Sequence, residues 1–230
     1  GPGGGGAQYN PAISPTDPDL MYGFCDMGGV YRSQDGGRHW RMYTFDQAQM
    51  PVAYSPYHCN PRFHPTNGDI CYIGTQEGLK RTTDGGDTWS FLSTNDVPMA
   101  IAVDRAHPNI VIYANNQNRM YKSVTSGTAL TELSSWKTTI NQTPIDIYID
   151  ASSAIGSLTI FVATGNGMYK STDGGSTWNT ANSGLPTVSI IDFDGGMKDN
   201  VPVLFVSVAG GSNGVYRSTD RAANWVRRSA

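Results

Sequence analysis

Ser171-Thr172-Asp173-Gly174-Gly175-Ser176-Thr177-Trp178, preceded by Gly167-Met168-Tyr169-Lys170, is the phrase on which this chain is built. It recurs as Gly29-Val30-Tyr31-Arg32-Ser33-Gln34-Asp35-Gly36-Gly37-Arg38-His39-Trp40 and as Thr82-Thr83-Asp84-Gly85-Gly86-Asp87-Thr88-Trp89. A last copy is Ser218-Thr219-Asp220-Arg221-Ala222-Ala223-Asn224-Trp225, and a degraded one runs from Met120-Tyr121-Lys122-Ser123 to Trp136. Read this way, the tryptophans at 40, 89, 136, 178 and 225 share one place in five repeats, spaced 49, 47, 42 and 47 residues apart. Internal periods of that size point to propeller blades.

The phrase has a mechanical reading. An apolar-aromatic pair leaves one strand, and Asp-Gly-Gly makes a tight turn in which glycine supplies positive φ. The Asp carboxylate accepts backbone N–H groups of its own turn. The Trp is expected within the returning strand, its ring covering the hairpin. These residues resemble the Asp-box, or bacterial neuraminidase repeat. That resemblance implies an all-β propeller with the boxes on its outer rim. It gives Asp35, Trp40, Asp84, Trp89, Asp173, Trp178, Asp220 and Trp225 a structural role.

The expected fold is one domain, 1–230, of four-stranded antiparallel blades at about 7–50, 51–97, 98–141, 142–186 and 187–230. Second strands are expected at 20–25, 70–74, 110–114, 158–164 and 203–209, with third strands starting at Val30, Leu79, Met120, Met168 and Val215. The third repeat carries an insertion through Leu130-Thr131-Glu132-Leu133, read as a longer loop or a single helical turn. Asp104, Asp150 and Asp194 align before a turn and are read as turn caps. Two arrangements stay open: a compact five-bladed ring, or part of a larger propeller. The second is preferred, because no strand is left over to join the last blade to the first.

Composition narrows the function. Glycine is abundant at 27 residues and the net charge is −3, which offers no basic field for nucleic acid or an anionic membrane. No apolar run approaches the length of a membrane span, so no membrane insertion is expected. Cys25, Cys59 and Cys71 lack metal-ligand spacing and the histidines form no HxH or HExxH pattern; no metal and no cofactor is expected. Cys59 and Cys71 fall on neighbouring strands, so a disulfide and a pair of buried thiols are both open.

Propellers bind ligands on the face formed by the loops between second and third strands and by the links between blades. Asp26 lies in the first of these loops; Gln76 and Asn116 hold equivalent places. Pro15-Thr16-Asp17-Pro18-Asp19-Leu20-Met21-Tyr22 followed by Asp26-Met27-Gly28-Gly29-Val30-Tyr31-Arg32 resembles the opening blade of the xyloglucanase-type glycoside hydrolases. The resemblance implies an extracellular or periplasmic protein acting on polysaccharide. It also implies inverting hydrolysis with Asp26 as catalytic acid or base. Such hydrolysis uses two carboxyl groups about 6.5–9.5 Å apart. In that family the second carboxylate comes from a second propeller, which this sequence does not contain. Cys25 also stands where the family has Thr. Counting back from the end of each first strand aligns Asn10, Asn60, Ala100, Asp146 and Ile190, making Asp146 the one acid at its level. Asp146 is therefore a candidate partner of Asp26, and the alternative is that its carboxylate accepts a neighbouring backbone N–H.

Substrate-binding places are expected at Gln8, Tyr9 and Asn10 of the first strand. In the proline-stiffened link between the first two blades, Tyr54 and Tyr57 offer faces for sugar stacking, with His58 and Asn60 as hydrogen-bonding groups. Packing of both tyrosines between blades is the alternative. A sialidase is not favoured, since the Arg-Ile-Pro signature is absent and the arginines cluster near the boxes. The second function class is a non-catalytic module that binds glycan or assembles with protein, as Asp-box domains of sorting receptors and photosystem assembly factors do. Its partners would be polysaccharide, further blades or another chain.

Overall fold

The computed structural model describes residues 8–25, 29–43, 60–186, 189–210 and 213–228. They form five four-stranded antiparallel sheets, and the fold is an all-β propeller of five such blades. Blade one holds β1 (Gln8–Ile13), β2 (Leu20–Cys25), β3 (Gly29–Gln34) and β4 (Arg41–Met42). Blade two holds β5 (Arg62–Phe63), β6 (Cys71–Thr75), β7 (Gly78–Thr82) and β8 (Ser90–Phe91). Blade three holds β9 (Pro98–Val103), β10 (Val111–Asn115), β11 (Met120–Ser123) and β12 (Thr131–Glu132). Blade four holds β13 (Pro144–Ile149), β14 (Ile160–Thr164), β15 (Gly167–Ser171) and β16 (Asn179–Thr180). Blade five holds β17 (Ile190–Lys198), β18 (Val201–Val208), β19 (Gly214–Ser218) and β20 (Val226–Arg227). The chain divides into two compact units, Gly1–Val103 and Asp104–Ala230.

In the first unit Leu20, Tyr22, Phe24 and Val30 of blade one pack with Cys71 and Ile73 of blade two. Tyr22 stacks on Phe63 at 5.3 Å and meets Trp89 edge-on at 5.7 Å. In the second unit Phe161, Ala163 and Met168 of blade four pack against Phe193, Leu204, Val206 and Val208 of blade five. Strands β6, β10 and β14 are buried at every residue, because both faces of those blades are covered. That is why they read as continuous apolar runs without alternation.

The repeated turns share one geometry. Ser171 Oγ accepts from the Gly175 N–H at 2.9 Å and donates to Asp173 at 2.7 Å, while Asp173 accepts from the Thr177 N–H at 2.9 Å. Thr82 with Asp84 repeats this pattern, as do Ser33 with Asp35 and Ser218 with Asp220. Each of these tryptophans comes one residue before β4, β8, β16 or β20, and not inside the fourth strand as its place in the repeat suggests. The turn donors pull the chain into its ladder only after the ring.

The third turn corrects the sequence reading. Ser123 Oγ accepts from the Gly127 N–H at 2.9 Å, and Thr125 Oγ1 takes the Asp role by accepting from the Ala129 N–H at 3.0 Å. Lys122 pairs with Thr131 just as Lys170 pairs with Asn179. Leu130 thus stands where the other repeats have Trp, and the turn has ordinary length. The extra residues come after β12 as one π-helical turn, Trp136–Ile140. Trp136 is fully buried there, 4.9 Å from the Trp178 ring and 5.6 Å from Tyr169.

Successive blades are also clipped together. Arg32 Nη1 donates to the Gly85 carbonyl at 2.7 Å, Lys122 Nζ to Gly174 at 2.9 Å, and Lys170 Nζ to Arg221 at 3.0 Å. In each case a third-strand cation reaches the residue after the acidic position of the next blade's turn.

These turns predict an acid response. The Thr177 hydroxyl and backbone N–H hold Asp173 down at about 2, and the His39 backbone N–H, then its ring, do the same for Asp35. A carboxyl depressed by folding contributes stability that is complete above its unfolded value of 3.8 and is lost as pH falls through about 2. The expected window of loss is therefore about pH 4 to 2. In urea titrations across that window, Asp173→Asn should flatten the pH dependence of stability, because the amide still accepts the Thr177 N–H but carries no charge. An unchanged slope would show that Asp173 does not carry it.

Candidate functional site

Asp26 lies outside the described residues, as do Tyr54, Tyr57, His58 and Cys59. The ends of the Asp26 loop are in place: Cys25 pairs with Gly29 and Phe24 with Val30. At the equivalent place Thr75 Oγ1 donates to the Gly78 carbonyl at 2.9 Å and accepts from the Glu77 N–H at 3.3 Å. Thr164 repeats this with Gly167 and Asn166, and Asn115 Oδ1 closes its loop on the Gln117 and Arg119 N–H groups. Cys25 brings only a thiol, a weaker partner than hydroxyl or amide. Gln76 and Asn116 are exposed in their loops.

Gln8 and Tyr9 open β1 opposite Cys25 and Phe24, beside the Asp26 loop. Asn10 follows in a register slip between Tyr9 and Ala12, with φ 51°, a backbone conformation that asparagine tolerates better than most residues. Asn60 is half-buried just before β5.

Asp146 belongs to the corresponding end of blade four. It is 7% exposed, pairs with Ala163 next to a bulge after Pro144, and accepts its own neighbour's Ile147 N–H at 2.8 Å. Blade five repeats this arrangement with a different residue. Asp192 pairs with Ser207 next to a bulge after Ile190 and accepts the Phe193 N–H at 2.9 Å. Asp192, not Ile190, therefore stands at the level of Asp146, and Asp146 is not the only acid there. Bulges re-aim side chains in this way. The shared Ile-Asp-apolar triplets, Ile145-Asp146-Ile147 and Ile191-Asp192-Phe193, carry the signal; a fixed count from the strand end misses it.

Two of the three expected turn caps have that geometry. Asp104 accepts from the Ala106 N–H at 2.9 Å, and Asp150 accepts from the Ser152 N–H at 2.9 Å and from Arg221 Nε at 2.9 Å. Asp194 does not cap a turn. It pairs with Phe205 inside β17, and the hairpin closes at Asp199-Asn200, with φ of 52° and 59°. Asp194-Gly195-Gly196 imitates a turn signal for a packing reason. A Cβ on Gly195 would lie 2.7 Å from Leu204 and 2.9 Å from the Tyr148 ring.

A cleft of about 510 Å³ lies between the turn ends of blades four and five, lined by Lys170, Asn179, Asn182, Ser183 and Ala223 among others. Burial pushes the Lys170 amine down, and it is already committed to the Arg221 carbonyl. The cleft has no carboxylate lining and offers no acid–base pair. Among the described residues no group of three His, Cys, Asp or Glu side chains is arranged to hold a metal ion, and no helix is long and apolar enough to cross a membrane.

No protein-family model and no curated protein matches the chain. Solved structures do. The GH74 xyloglucanase of Xanthomonas campestris is 17% identical, with a TM-score of 0.74 over 98% of this chain and 38% of its own. An ancestral GH74 enzyme is 20% identical, with a TM-score of 0.73 over 99% of this chain and 32% of its own. YCF48 bound to D1 peptide is 16% identical, with a TM-score of 0.60 over 96% of this chain and 66% of its own. The chain thus spans about a third of the length of the GH74 structures it resembles, and the likeness is one of fold.

Proposed function

We propose that this chain is the Asp-box propeller part of a glycan-acting protein of the xyloglucanase type, placed outside the cytoplasm, with Asp26 in the substrate cleft. The observation that carries the reading is the Asp26-Met27-Gly28-Gly29-Val30-Tyr31-Arg32 sequence, which joins β2 to β3 and continues into β3. The GH74 likeness over nearly the whole chain supports it. Gln8, Tyr9 and Asn10 adjoin that loop along β1, and Gln76 and Asn116 hold its place in the next two blades. Tyr54, Tyr57, His58 and Asn60 of the link to blade two complete the proposed sugar-binding set. For the second carboxyl group that inversion requires, the chain offers Asp146 and Asp192 at one level of adjacent blades.

The second reading is a propeller that binds glycan or a protein segment without chemistry, favoured by the likeness to YCF48 bound to D1 peptide. Incubation with a panel of β-glucans, measuring reducing ends and polymer retention together, separates the two. The hydrolase reading expects reducing ends from at least one glucan. Retention without release moves the assignment to the module, and neither retention nor release across the panel removes both glycan readings.

A further inference from the structure

One contact between successive blades recurs at equivalent residues, and between blades four and five it stops short. Tyr43, Leu133 and Ala181 each follow the short fourth strand and donate their N–H to the third strand, at Val30 (2.9 Å), Met120 (2.8 Å) and Met168 (2.8 Å). They are therefore equivalent. Opposite them, Gly86, Gly175 and Ala222 share one place in the next blade's turn, each giving its N–H to a hydroxyl at 2.9 Å. Tyr43 reaches across and donates its hydroxyl to the Gly86 carbonyl at 2.6 Å. Leu133 reaches Gly175, where a Cβ would lie 2.6 Å from its Cδ1, and Ser135 donates to the Gly175 carbonyl at 2.6 Å. Ala181 has only a methyl group, and the cleft of about 510 Å³ opens there with Ala181 and Ala222 both in its wall.

The surroundings that hold the Tyr43 ring recur at this cleft. That ring meets Trp89 edge-on at 6.3 Å and lies 5.6 Å from the Arg32 guanidinium. Trp225 holds the place of Trp89, is buried in one cluster with Ala181 and Ala222, and donates its indole N–H to the Ala181 carbonyl at 2.8 Å. Lys170 holds the place of Arg32 and lines the cleft. Among the described residues no hydroxyl meets the Ala222 carbonyl as Tyr43 and Ser135 meet its counterparts. Around the mouth Thr172, Asn179, Thr180 and Ser183 are exposed and offer hydroxyl and amide groups.

We propose that this cleft binds a tyrosine side chain of a partner protein segment, its hydroxyl donating to the Ala222 carbonyl as Tyr43 donates to Gly86. The ring takes the space that Tyr43 fills between blades one and two and Leu133 fills between blades three and four. Burial of that ring supplies the drive, and its hydroxyl supplies the direction. The polar rim meets the peptide groups on either side, and a cleft of about 510 Å³ has the size of an ordinary ligand pocket. The site uses none of the residues proposed for glycan.

The test is a titration of the full chain with the tripeptide Gly-Tyr-Gly, acetylated and amidated at its ends, followed by saturation-transfer NMR. Saturable binding is expected with a Kd on the order of 1 mM, the scale for one anchored ring and a few polar contacts. Gly-Phe-Gly lacks only the hydroxyl and should bind about two- to tenfold more weakly. Ala181→Tyr puts a ring of the chain's own in the cleft and should abolish binding. Ala181→Leu copies Leu133 and is a second block with a smaller side chain; circular dichroism melts check that both variants fold. No saturation by Gly-Tyr-Gly up to about 10 mM overturns the proposal. So does equal binding of Gly-Phe-Gly, or binding that survives in either folded variant. Tighter binding of methyl β-glucoside at the same place overturns it too, and makes the cleft a sugar site.

Discussion

Under the proposed hydrolase reading, replacing Asp26 by asparagine is expected to lower the rate of glucan hydrolysis by about 10²–10⁴-fold, the usual worth of a positioned general acid or base. The substitution keeps size and hydrogen-bonding shape while removing the proton exchange, so glucan retention should change little. Inverting hydrolysis divides the work between two carboxyl groups, one protonating the leaving oxygen and one activating water. Parallel Asp146→Asn and Asp192→Asn variants identify the second. The true partner should give a comparable fall and remove one limb of the pH–rate profile, while the other variant leaves both limbs in place. The buried Asp146, bonded to the Ile147 N–H, and the exposed Asp192 differ in solvent access, so both variants must be measured. A rate that survives Asp26→Asn takes Asp26 out of the chemistry.

Trp136→Ala is expected to destabilise the protein by about 3–5 kcal/mol, the range for removing a fully buried large aromatic side chain. Trp136 is 0% exposed, lies edge-on to Trp178 and Tyr169, and donates its indole N–H to the Gln142 carbonyl at 2.9 Å. Its neighbour Ser135 donates to the Gly175 carbonyl at 2.6 Å and accepts the Trp178 indole N–H at 3.2 Å. Loss of the ring would therefore loosen the contact between blades three and four as well as leave a cavity. Leu130, which occupies the ordinary Trp place of that repeat, is half-buried, and Leu130→Ala should cost less. Urea unfolding of the two variants checks the order. A larger loss at Leu130 would mean that the turn position, not the inserted π-helical turn, holds this blade.

Both predictions show where sequence legibility ended. The Asp-Gly-Gly turns were readable because their chemistry is local: a hydroxyl, a carboxylate and two residues of positive φ lie within eight positions. Second strands were readable for a related reason, since a sheet covered on both faces writes an apolar run into the chain. Reading Trp136 as part of the damaged turn failed because an aromatic ring can reach a neighbouring blade from more than one backbone position. Asp194-Gly195-Gly196 failed likewise: the same letters serve a turn at Asp173 and a close backbone approach under Tyr148 at Gly195.

Repeat length, blade number and the four-stranded plan were present in the order of residues, because each blade's turns and ladders form between neighbours along the chain. Register was not. β17 runs on through Asp194 to Lys198, so a count from its expected end misplaces Asp192, which the cross-strand pairing sets at the level of Asp146. The same holds for the clips from Arg32, Lys122 and Lys170, which span 53, 52 and 51 residues. Contacts between blades depend on which faces meet in space, and a linear pattern of apolar and polar letters does not encode that meeting.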